Sequence, residues 1–162
     1  MTLREPVHLE DPRTIGPVHF IAIGGAGMSG VARAYAELGA EVSGSDQVNS
    51  TRLESLKAMG VRTWVGHDPS HVHGARTVVV SSAIHDDNPE LVEARRLGLR
   101  IWHRSAALAA LMLGHQGVSV AGTHGKTTTS AIIASILTDA GMDPSYVIGS
   151  PLATSGRSAH LG

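Results

Sequence analysis

An apolar segment, Val118-Ser119-Val120-Ala121, runs into Gly122-Thr123-His124-Gly125-Lys126-Thr127-Thr128-Thr129, and an Ala/Ile-rich stretch follows at once. Those residue types at that spacing bind phosphate. Glycines let backbone N–H groups converge on an anion at the positive end of a helix, and one lysine adds a point charge. Thr127, directly after the lysine, offers a hydroxyl to the magnesium of a nucleotide. The common phosphate-loop spacing has a glycine at position 120, where Val120 stands, so this loop is a shortened variant. Of 13 basic residues only Lys57 and Lys126 are lysines. A compact ammonium fits between β- and γ-phosphates where a planar guanidinium does not. The segment from Gly122 to Thr127 therefore reads as an ATP site.

A second glycine loop, Gly25-Ala26-Gly27-Met28-Ser29-Gly30, follows another apolar run and opens a helix. Asp46 comes where a dinucleotide-binding fold places its ribose-binding acid, although it can equally cap the next segment. The loop alone suggests NAD, but its chemistry suits any nucleotide diphosphate. Ser81-Ser82-Ala83-Ile84 sits at the carboxyl end of an expected strand, the edge where open α/β sheets bind ligands. His67, His71 and His73 have the spacing of a metal site but share a polar loop with Asp68 and Pro69, so a solvated loop is expected, with His67 as a substrate contact. Met28 is expected to pack beneath its loop. Arg104 can bind an anion at a domain junction or a surface carboxylate.

The elements that must hold these loops alternate. Strands are expected at Val18–Ile23, Glu41–Ser45, Val61–Val65, Thr77–Ser81, Leu99–Trp102 and Gly117–Ala121. Helices are expected from the first glycine loop to Leu38, over Thr51–Met59, from Asn88-Pro89-Glu90 to Gly98, over Ser105–Leu113, and from the phosphate loop to Ala140. Such alternation implies an α/β fold: a Rossmann-like parallel sheet, then the start of a P-loop ATPase-type α/β domain. The division is placed near His103, giving 1–103 and 104–162. Residues 1–16 are expected to be loosely ordered, and those beyond Ser105 partly disordered or self-associating.

Composition narrows the function classes. The chain has 162 residues, 42% of them hydrophobic but only 3% aromatic, so its core is built from Ala, Val, Leu and Ile. A net charge of −1 without a basic run speaks against nucleic acid as a partner. The longest apolar run, Ala106 to Leu113, falls far short of the ~18 residues of a membrane span, so no membrane partner is expected. The first residues carry no apolar signal region, and the absence of cysteine suits a cytoplasmic protein.

With both loops in view, the chain resembles the Mur ligase family of peptidoglycan synthesis. The resemblance rests on Ile23 to Gly30, Gly44-Ser45-Asp46, Ser81-Ser82-Ala83-Ile84 and Ala121 to Thr129, and runs from Val18 to Gly149. It implies that the first domain binds UDP-N-acetylmuramate, with Gly25, Ala26, Gly27, Met28, Ser29 and Gly30 on the diphosphate and Asp46, His67 and Ser82 near the ribose or uracil. It implies ATP and Mg2+ as cofactors. Lys126 is then the catalytic charge on the β- and γ-phosphates, and Thr127 the magnesium ligand. Gly122, Thr123, His124, Gly125 and Thr128 complete the nucleotide loop. The Ser-Ser-Ala-Ile segment favours the member that adds L-alanine over the murein tripeptide ligase. A non-catalytic UDP-sugar-nucleotide-binding module is the other alternative. Family members continue beyond the position of Gly162 into an acidic magnesium-binding segment. Asp139 stands roughly 18 Å from Thr127 along the expected helix, so these residues alone are expected to be inactive.

Overall fold

The computed structural model describes residues 7–162. Strand β1 (Val18–Ile21) is buried at every residue. Parallel partners flank it: β2 (Val42–Asp46) and β3 (Arg62–Val65) on one side, β4 (Thr77–Val80) and β5 (Arg100–His103) on the other. The resulting five-stranded sheet has the order β3-β2-β1-β4-β5. Its topological switch lies between β1 and β4, so the crevice at their carboxyl ends is the natural place for a ligand.

Two successive crossovers in one direction put α1 (Ala26–Glu37) and α2 (Thr51–Ala58) on the same face, as right-handed connections require. There Val31, Tyr35, Leu53 and Leu56 meet Val18, Phe20, Val42 and Val79. The reversed crossover puts α3 (Pro89–Arg96) on the other face, where Leu91 and Ala94 meet Ile21, Val78 and Val80. The β3–β4 connection carries only a 3-10 turn, Pro69–Val72, whose Val72 joins that second cluster.

Several boundaries differ from the sequence reading. β1 stops at Ile21 rather than Ile23 because Ala22 takes φ 60, and a turn closes behind it with Gly25 N–H on the Ala22 carbonyl at 3.2 Å. Of the segment 1–16, residues 1–6 lie outside the described residues; beyond them Ile15 is buried in the core. The core also continues past Ser105. Helix α4 (Arg104–Ala110) buries Ala106, Ala107 and Ala110, and the Tyr35 hydroxyl donates to the Ala107 carbonyl at 2.9 Å. Gly117–Ala121 is not a strand: Val118 is 72% exposed, and no described strand lies alongside to take up its backbone groups.

Helix α5 (Lys126–Asp139) forms as expected and is closed by Gly141 at φ 79. The chain then turns back, and the antiparallel pair β6 (Tyr146–Val147) and β7 (Ala159–His160) lies on α1. Gly30 makes this possible, since a Cβ there would stand 3.3 Å from Val147 Cγ1 and 3.7 Å from Ala159 Cβ.

Gly44 has a comparable role inside the sheet. A Cβ on it would lie 2.6 Å from the Phe20 carbonyl oxygen and 2.6 Å from Ile23 Cδ1. The carbonyl belongs to the neighbouring central strand and cannot yield. Gly44→Ala is therefore expected to destabilise the fold by about 1–3 kcal/mol, read as a lowered denaturant midpoint. An unchanged midpoint would show that β2 can move away from β1.

Candidate functional site

Helix starts distinguish the two glycine loops from every other element. Ser50 caps α2, Asn88 caps α3 and His103 caps α4, each accepting from a backbone N–H of the first turn. Among the described helices only α1 and α5 begin on a glycine, Gly25 and Gly125, with no side-chain cap. Their first-turn amides are thus left without a side-chain acceptor at the positive end of a helix, where an anion can take the place of the cap.

Around α1 the exposed part of the loop is short. Gly25 and Ala26 are exposed and Gly27 half-buried, whereas Met28, Ser29 and Gly30 are buried, Met28 in the core and Gly30 under the β6–β7 pair. The Asp46 carboxylate accepts from Gly24 N–H at 2.9 Å and from Val48 N–H at 3.2 Å, which ties the end of β2 to the glycine loop. Ser82 is exposed just beyond β4. Arg104 lies over the loop: its Nη1 stands 2.5 Å from where a Gly27 Cβ would be. No carboxylate among the described residues pairs with Arg104, so its charge is available to an anion on that loop.

Around α5, Thr123, His124, Thr127 and Thr128 are exposed. Gly122 at φ 153 and Gly125 at φ 79 occupy backbone regions that a side chain would strain. The Lys126 ammonium donates to the Gly122 carbonyl and, at 3.2 Å, to that of Thr123. The lysine is folded against the loop that it would use to hold a phosphate.

A cavity of about 360 Å³ opens beside the start of α1, between α2 and the tail. Ala26, Ser29 and Arg33 of α1, Thr51, Arg52 and Ser55 of α2, and Gly149 and Arg157 of the tail line it. Gly149 lies so near α5 that a Cβ on it would be 3.3 Å from Thr127 Oγ1. One wall is thus the first turns of α1, and the opposite wall touches the threonine after Lys126. Three guanidinium groups and no carboxylate line the space, which suits a polyanionic ligand.

The histidines are placed differently from the solvated loop expected of them. His67 Nδ1 lies 3.0 Å from Glu90 Oε2, and His71 Nδ1 lies 2.7 Å from Glu90 Oε1. His73 alone is exposed, with Nε2 3.0 Å from Glu93 Oε1. His71 also stacks on Trp64, with ring centroids 4.5 Å apart. Sequence reasoning used Glu90 only as an acid at a helix start. Its role as the acceptor for two imidazoles depends on α3 crossing the face on which the 3-10 turn lies.

The chain is also similar to known proteins. Residues 17–128 match the family described as Mur ligase family, catalytic domain. The chain is 74% identical over its whole length to the UDP-N-acetylmuramate–L-alanine ligase of Cutibacterium acnes, of which it spans 34%. A solved UDP-N-acetylmuramate-alanine ligase from Thermotoga maritima superposes with a TM-score of 0.84 at 30% identity, covering 90% of this chain and 35% of that one. A UDP-N-acetylmuramate:L-alanyl-γ-D-glutamyl-meso-diaminopimelate ligase from Neisseria meningitides gives 0.83 at 33% identity, covering 90% and 46% respectively.

Proposed function

Because the chain belongs to the Mur ligase family, we propose that it is the part of a cytoplasmic ATP-dependent ligase that grips both phosphorylated substrates. That ligase joins L-alanine to UDP-N-acetylmuramate in peptidoglycan synthesis. The observation that carries the proposal is the presence of two helices, α1 and α5, that each start on an uncapped glycine loop. The 74% identity to an alanine-adding relative favours that member. The fold likeness by itself extends equally to the tripeptide-adding one.

In this reading residues 1–103 hold the UDP-sugar and residues 104–162 open the ATP domain. The first-turn amides of Ala26 and Gly27, with Arg104 above Gly27, take the diphosphate, while Gly25, Met28 and Ser29 spend their own amides on backbone carbonyls. Asp46, His67 and Ser82 stand at the carboxyl edge of the sheet for the ribose and uracil. The second loop fits a nucleotide polyphosphate: its glycines adopt the special φ values that let amides converge, and Lys126 already points into it. Thr127 would hold magnesium, which when bound supplies positive charge between two reacting anions. Lys126 neutralises the γ-phosphoryl group as it passes to the lactyl carboxylate. The acyl phosphate so formed is attacked by the amine of L-alanine, which releases phosphate and leaves an amide.

Calorimetric titration with UDP-N-acetylmuramate and with NADH tests the first domain. The uridine ligand is expected to bind and NADH to bind weakly or not at all; tighter binding of NADH would overturn the assignment. Asp46→Ala should weaken uridine binding by about 1–3 kcal/mol while the fold persists.

A further inference from the structure

Glu90 is fully enclosed, yet four polar side chains surround it. Ser45 Oγ donates to Oε2 at 2.5 Å, His71 Nδ1 lies 2.7 Å from Oε1, and His67 Nδ1 lies 3.0 Å from Oε2. His19 Nε2 stands 3.7 Å from Oε1, too far for a hydrogen bond. Burial by itself would raise the Glu90 carboxyl, but His19, Ser45 and His71 together hold it down to about 2.

An ionised carboxylate only accepts, so each Nδ1 that faces it must carry the proton. One contact asks for the opposite: Asp68 N–H lies 3.3 Å from His71 Nδ1. The 2.7 Å contact with a buried charge outweighs it, because charge-assisted bonds are shorter and stronger. For His67 no such conflict arises. Ser45 Oγ, 2.9 Å from its Nδ1, spends its own proton on Glu90 and so can accept a second share of the Nδ1–H.

In the neutral ring the remaining nitrogen of His67, Nε2, is then an acceptor. Its residue directly follows Gly66, whose N–H donates to the Asp46 carbonyl at 2.8 Å. The residue therefore belongs to the same carboxyl edge as Asp46, and its side chain keeps 12% of its exposure. We propose that Glu90 is a positioning residue for nucleoside recognition. It locks His67 in the Nδ1–H tautomer, so that Nε2 accepts from a donor on the nucleoside, a ribose hydroxyl or the imide N–H of uracil. The inference rests on the reading that this edge holds uridine. A glutamine in place of Glu90 has the same shape but also donates, and it would release the ring to take either tautomer.

The test uses a protein of the relatives' full length. Imidazole 15N NMR of the unmodified protein is expected to show His67 protonated at Nδ1 and bare at Nε2. Glu90→Gln is expected to mix the tautomers and weaken UDP binding roughly fivefold to tenfold, the worth of one hydrogen bond, while ATP affinity stays put. CDP separates the two donors. A Glu90→Gln effect that persists with CDP assigns the ribose hydroxyl, and one that vanishes assigns the imide. A proton on Nε2 in the unmodified protein overturns the proposal even if the variant fails to fold. It is also overturned if His67→Ala weakens UDP binding but Glu90→Gln changes neither affinity nor tautomer. If His67→Ala itself leaves UDP binding untouched, the placement of uridine at this edge falls, and the proposal with it.

Discussion

In a protein of full length, Lys126→Ala is expected to abolish alanine-dependent ADP release, and Lys126→Arg to restore little of it. The reason lies in how the loop is built. Gly122 and Gly125 bring the backbone close around a small space, and the ammonium occupies it by donating to the carbonyls of Gly122 and Thr123. A guanidinium is planar and wider, so it would displace the γ-phosphate from its in-line position. Losing one preorganised charge at a phosphoryl-transfer site costs several kcal/mol of barrier, on the order of a hundredfold to a thousandfold in rate. The lysine is exposed and its bonds are local, so the melting temperature should hardly move. Near-normal ADP release by the alanine variant would mean that this loop does not carry the chemistry.

The second large effect concerns acid stability. The Glu90 carboxyl is held at about 2, well below its ordinary value, inside a fully enclosed site. A depressed acid stabilises the fold above its unfolded pKa, and that contribution drains away as pH falls towards the folded value. The loss is expected between about pH 5 and pH 2 and amounts to on the order of 3 kcal/mol. Denaturant midpoints measured across that range would show it as a steep decline. Glu90→Gln should begin lower at neutral pH, because His67 and His71 lose their charged acceptor, and should decline less steeply. A flat profile for the unmodified protein would show that the carboxylate is not held ionised.

Much of the fold was legible because its signals are local. The buried run at β1, the Asn88-Pro89-Glu90 start of α3 and the glycines behind α1, α2, α3 and α5 each act through neighbouring residues. Gly117–Ala121 shows the limit of that reasoning. Its residues favour a strand, but a strand exists only where another supplies hydrogen bonds, and propensity cannot provide the partner. Ala22 shows another: an apolar residue in an apolar run gives no sign that its backbone turns left-handed.

The sequence by itself determined the two glycine loops and the parallel sheet that presents the first of them, because glycine spacing, the following lysine and hydrophobic period are properties of contiguous residues. Only the tertiary structure decided which distant groups meet. It laid the 149–158 segment beside α1 and α2 to close a cavity, placed Arg104 on Gly27, and brought His67 and His71 to Glu90. Those contacts span 19 to 77 positions along the chain, or more for the cavity wall, and follow from the direction of each crossover and from where a missing Cβ lets two backbones approach.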